Sequence, residues 1–146
     1  MSSQTVVPAT TGSTTRSLQA GTLAGLAGGL VFGMMMAMMG MMPMIAMLVG
    51  SKSTLVGWLI HMAISAFAGV GFALMARGQS NVVKAIGLGA AYGVAWWVVG
   101  ALVLMPARMG MPIFAFNEMS MQSLMGHVLF GIITGATYAA LIRRSA

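Results

Sequence analysis

Charged positions divide this chain into four long apolar runs. No Asp, Glu, Lys or Arg occurs between Arg16 and Lys52, between Lys52 and Arg77, between Lys84 and Arg108, or between Glu118 and Arg143. About 20 apolar residues at ~1.5 Å rise cross a hydrocarbon core of roughly 30 Å, so each run is long enough to span a bilayer as a helix. The pattern predicts spans over 18–49, 53–76, 81–105 and 120–142. Residues 1–18 are rich in Ser and Thr, lack an apolar period and are expected to form a disordered cytoplasmic tail. The first apolar run is far longer than the core of a secretory signal and is expected to stay as a helix. Pro43 removes a backbone hydrogen bond late in that span and should kink or end it. Short connections after the first and second spans make neighbours antiparallel. The expected fold class is therefore an all-α membrane protein, a four-transmembrane-helix bundle of two tandem helical hairpins with pseudo-two-fold symmetry, occupying 19–146 as one domain.

Composition agrees with this solvent. Apolar residues make up 59% of the chain and charged residues 5%, against roughly 25% charged in a soluble domain. The seven basic residues outweigh one acidic residue, for a net charge of +6. They sit at the ends of spans rather than in a stripe, which argues against nucleic acid as a partner. Arg16, Arg77, Lys84, Arg143 and Arg144 fall on the side of the termini, and Lys52 and Arg108 on the other. That excess places both termini in the cytoplasm of a multi-pass inner-membrane protein.

The same composition excludes several chemistries. Without Cys there is no disulfide, thiolate metal site or cysteine nucleophile. One Glu and no Asp rule out paired-carboxylate catalysis within the chain. No phosphate-binding loop, nucleophile elbow or paired-His zinc motif is present. The chain is expected to have no catalytic activity and to act as an accessory or structural subunit of a membrane assembly. Its partners would be the lipid bilayer and either copies of itself in a homo-oligomer or other membrane subunits.

An internal repeat relates the second and fourth spans. His61, Ser65, Gly69, Phe72, Ala73 and Arg77 recur at identical spacing as His127, Gly131, Gly135, Tyr138, Ala139 and Arg143. Gly25 and Gly29 match Gly89 and Gly93 in the other two spans. Lipid tails are as apolar as Leu, so helices in a bilayer associate by close packing, which small residues at four-residue spacing permit. Gly21, Gly25, Gly29 and Gly33 form such a ridge. Trp58 fits an anchor at the outer boundary, while Trp96 and Trp97 lie deeper, filling a gap or facing a ligand or partner helix.

Three groups of residues could carry chemistry. His61 and His127 lie at equal depth, about 10 Å along their helices by the rise per residue. The small residues Ser65, Gly69, Gly131 and Gly135 would leave room beneath them for something flat. A b-type haem between the two imidazoles, with Lys52 and Arg108 near its propionates, is one cofactor such a pair could take. Simple interhelical hydrogen bonding is the plainer expectation. The second group is a methionine cluster: nine of the 18 Met fall between Met34 and Met47, and others recur from Met105 to Met125. Thioethers favour Cu(I), and imidazole can complete such a site, so Met34, Met38, His61 and His127 form a candidate soft-metal set. Met also serves as flexible apolar filler. Neither haem nor Cu(I) is favoured over a bundle that binds nothing. The third is Glu118, expected to favour the start of the last span through the helix dipole, beside Ser120 as a cap.

The four-residue spacing of Met34 and Met38 resembles the methionine pair of the high-affinity copper importers, which also pack helices through Gly. The resemblance covers that one segment and implies soft-metal handling there. Those importers have three spans per subunit and assemble as trimers, whereas this chain has four spans and a tandem repeat.

Overall fold

The computed structural model describes residues 10–144, with side chains from residue 14 onward. Every regular element within them is helical. Helix α1 spans Thr10–Met38, the short α2 spans Met42–Ala46, and a 3₁₀ turn follows at Met47–Val49. Helix α3 covers Thr54–Ala76. Helix α4, Val82–Trp96, continues without a break into a π-helical segment, Trp97–Leu104, and a last turn, α5, Met105–Arg108. Helix α6 runs Glu118–Arg144. Four helices are long and apolar enough to cross a membrane, which makes this an all-α bundle of four spans.

The boundaries depart from the sequence pattern in two places. Helix α1 begins at least as early as Thr10, so only residues 1–9 of the expected 1–18 tail lie outside the described residues. Docking holds this extension: Leu18 packs against the core cluster of Ala20, Ala24, Phe72 and Tyr138, and Ser17 Oγ meets Tyr138 Oη at 2.6 Å. At its far end the first span does not run through to residue 49. Gly40 takes a left-handed φ of 68°, the chain turns there, and Pro43 serves in the first turn of α2 instead of kinking a continuous helix.

Two hairpins pair through glycine. In the first, Gly21 and Gly25 of α1 meet the backbone of Gly69 and Ser65 on α3, and Gly29 meets the Ser65 side chain. In the second, Gly89 meets the backbone of Gly131 and Gly135, Gly135 that of Ala85, and Gly93 that of His127. The register of Gly25 on Ser65 and Gly69 is thus the register of Gly89 on Gly131 and Gly135. Backbones approach to van der Waals contact only because no Cβ stands between them.

Between the hairpins the packing is unequal. Helix α1 lies along α6, with Gly28 against Thr134 and Phe130 and the Phe32 ring seated on Gly126. Helices α3 and α4, the other pair that would close the ring, touch at few points. Tyr92 and Trp96 hold them apart: Tyr92 O–H donates to Ala68 O at 2.8 Å, and Phe67 meets Trp96 at a ring separation of 6.3 Å.

On the termini side the bundle is sealed. Phe72 stacks edge-on against Tyr138 and Tyr92, and Tyr138 also accepts the Gly78 N–H at 3.0 Å, tying the α3–α4 turn to α6 and α1. Tyr138→Phe removes both polar contacts and should destabilise the fold by about 1–3 kcal/mol. Thr134 offers the opposite case. Its hydroxyl is fully buried with no partner among the described residues. Thr134→Val, of the same shape, should therefore leave stability unchanged or raise it. Unfolding in detergent micelles followed by circular dichroism measures both; a loss for Thr134→Val as large as that for Tyr138→Phe would contradict the assignment.

Candidate ligand cavity

Away from the sealed end, the separation of α3 and α4 leaves a cavity of about 490 Å³. Its floor lies at Ser65, Ala68 and Phe130, and its mouth is formed by α2 and the 106–119 connection. Both His61 and His127 line it. The two imidazoles predicted at matching depth thus reach one shared space.

Their hydrogen bonds fix which nitrogen each presents. His61 Nε2 is 2.8 Å from Gly29 O, across the α1–α3 contact. A carbonyl only accepts, so in the neutral ring the proton sits on Nε2 and Nδ1 carries the lone pair. His127 Nδ1 lies 2.8 Å from Ser123 O, one turn back on its own helix, with Ser123 Oγ at 3.3 Å. Its proton is on Nδ1 and its lone pair on Nε2. The two residues match in sequence position but differ in bonding, because Gly29 offers its carbonyl to His61 whereas His127 turns to its own helix. An imidazole whose N–H is tied to a backbone carbonyl, with the other nitrogen unprotonated, is the usual form of a metal-ligating histidine.

Phe32 touches both imidazoles. Its ring is edge-on to His61 at 5.6 Å and to His127 at 4.8 Å. A haem plane between the imidazoles would have to displace it. The room expected beneath each histidine is also filled: Gly69 is packed against Gly25, and Gly131 and Gly135 against Gly89 and Ala85. These positions serve helix contact, not a flat ligand. Lys52 and Arg108, the expected propionate partners, are exposed at the mouth end.

The methionines divide by face. Met34 and Met38 point outward, 46% and 81% exposed, and do not join the histidines. Helix α1 is apolar on every side, so spacing alone could not show which face turns inward. The thioethers that do line the cavity are Met36, Met41 and Met44 from the first hairpin and Met105, Met109, Met111 and Met119 from the second. Among the described residues no group of three or more His, Cys, Asp or Glu is placed to hold a metal.

Trp58 is half-buried rather than a free interfacial anchor, packing on Gly33 and 6.2 Å from the His61 ring. Trp97 is turned inward by the π segment, donates Nε1–H to Ser120 O at 2.8 Å and leans on Phe116. The cap of α6 is Asn117: its Oδ1 accepts the Ser120 N–H at 2.9 Å, and Ser120 Oγ accepts the Asn117 N–H in return. Glu118 sits in the first turn, where its carboxylate holds Gln122. The sequence reading missed Phe32, Ser123 and the π segment. A lone Phe among apolar neighbours carries no signal, and only Gly126 opposite it, one residue before His127, marks the space it fills.

No family model, curated protein or solved structure matches this chain.

Proposed function

We propose that this is a non-catalytic membrane protein that holds a soft metal ion, Cu(I), in the cavity shared by the two hairpins. The observation that carries this is a pair of imidazoles lining one cavity with thioethers, each with one nitrogen tied to a backbone carbonyl and the other left with its lone pair. Sulfur and imidazole favour Cu(I), and the scarcity of carboxylates disfavours Mg²⁺ or Ca²⁺. His61 Nδ1, His127 Nε2 and the inner thioethers of Met36 and Met105 are the donors we assign, replacing the outward Met34 and Met38. Haem is the weaker cofactor because a porphyrin reaching both imidazoles would have to displace the Phe32 ring that lies edge-on to each, whereas a single ion needs only the nitrogens.

A second role is favoured by one feature. Only 22% of the apolar window of the α4 span is buried, against 39–44% for the other three, which leaves a broad surface for another membrane subunit. An accessory protein that presents copper to a neighbouring subunit combines both roles.

Purification after growth with added copper, or loading with Ag(I) as a redox-inert substitute, should yield about one ion per chain. His127→Ala should lower that content sharply while the helical spectrum stays unchanged. A metal-free, colourless preparation from copper-replete cells that also fails to take up Ag(I) would overturn the assignment; a stoichiometric Soret band would replace it with haem.

A further inference from the structure

The cavity also opens sideways. Ile64 and Phe67 on α3 and Leu104 on the π segment line it, and the same residues are 40%, 70% and 56% exposed, far more than a closed wall would allow. Residues that belong both to a cavity wall and to the lipid-facing surface mark where the wall is breached. The breach lies where α3 and α4 diverge, above the Tyr92 and Trp96 contacts. Its α4 side is the π segment, where Gly100 and Ala101 leave the wall low: a Cβ added at Gly100 meets nothing within 4 Å. π-helical turns are rare and recur at functional sites. In a bilayer such a cleft faces acyl chains.

Charge selects among lipids. Arg108 is exposed one turn beyond Leu104, flanked by the cavity residues Met105 and Met109. The chain's single acidic residue, Glu118, holds Gln122 instead. Four residues after Leu104, Arg108 falls on the same helix face at the end of the third apolar span, where a lipid phosphate is a natural counter-ion for its guanidinium.

We propose that the cleft between α3 and the π segment holds one anionic phospholipid from the adjacent leaflet, with an acyl chain along Phe67, Gly100 and Leu104 and the phosphate on Arg108. The chain closes the open side of the cavity and excludes water from the imidazoles. The site stands on the breach and on Arg108, not on the identity of the ligand deeper inside.

Native mass spectrometry of delipidated protein incubated with equal amounts of phosphatidylglycerol and phosphatidylcholine tests this. The wild type should retain one lipid, mainly phosphatidylglycerol. Gly100→Leu, whose Cβ meets no atom and whose side chain takes up room in the cleft, should lower retention roughly tenfold. Gly87→Leu, also in open space on α4, should change nothing. Arg108→Gln should keep a lipid but lose the headgroup preference. A phosphatidylglycerol carrying a diazirine on its acyl chain should cross-link to peptides holding Ile64–Phe67 and Trp96–Leu104, an outcome independent of whether Gly100→Leu folds. Equal retention by wild type and Gly100→Leu, uniform cross-linking over all four spans, or a lipid-free dimer seated on the cleft would each overturn the proposal.

Discussion

Gly131→Leu should abolish the folded bundle. A carbon added at Gly131 would lie within the carbonyl group of Gly89, and the next obstacle is the Gly93 backbone. Overpacked side chains usually cost about 1–3 kcal/mol because neighbours can turn aside. A backbone carbonyl in a helix cannot. The hairpin of α4 and α6 would have to separate, and that contact is the most extensive in the molecule. Gly69→Leu should do the same to α1 and α3, since Gly69 lies on the backbone of Gly21 and Gly25. Gly87→Leu supplies the comparison: it adds the same side chain to open space and should stay within about 0.5 kcal/mol of wild type. Denaturant titration in mixed micelles reads all three. Gly131→Leu unfolding at the midpoint of Gly87→Leu would mean that the hairpins are not held by glycine contact.

His127→Ala should remove soft-metal binding while leaving the fold in place. His127 is the half-buried member of the pair, with its hydrogen bonds all inside its own helix, so its loss breaks no interhelical hydrogen bond and gives up only the edge contact with Phe32. Disturbing an outer partner of a metal ligand typically costs 10–100-fold in affinity, and removing the ligand should cost at least ~100-fold. His61→Ala should weaken binding comparably but also destabilise the bundle, because the bond from His61 Nε2 to Gly29 crosses between α1 and α3. Met34→Leu with Met38→Leu should have no effect on metal, since both face outward, whereas Met36→Leu with Met105→Leu should reduce it. Competition with a chromogenic Cu(I) chelator measures each. Equal losses from the outward and inward methionine pairs would place the ion elsewhere.

Much of the architecture was legible because charges are so rare. Each charge-free run became one span, and Ser53 and Asn81 cap α3 and α4 within a residue or two of the predicted starts. The shared spacing of the two spans pointed to His61 and His127 together, and both line the one cavity. Orientation about the helix axis did not. On α1 nearly every position is apolar, so nothing distinguished Met36, which faces the core, from Met34 and Met38, which face out. The break at Gly40 was hidden by the stronger signal of Pro43. The π segment had no signal: nothing in the apolar run Trp97–Leu104 separates it from an α-helix, and the bond from Trp97 to Ser120 that accompanies it joins two helices. The imidazole tautomers likewise depend on carbonyls supplied by tertiary structure.

X-ray absorption at the copper edge of the purified, Cu(I)-loaded protein is the most direct measurement of the proposed donor set. Mixed nitrogen and sulfur scattering at about 2.0 and 2.3 Å, with the nitrogen component lost in His127→Ala, is the expected result. A shell of sulfur alone, unchanged by His127→Ala, would contradict a site built on the two imidazoles.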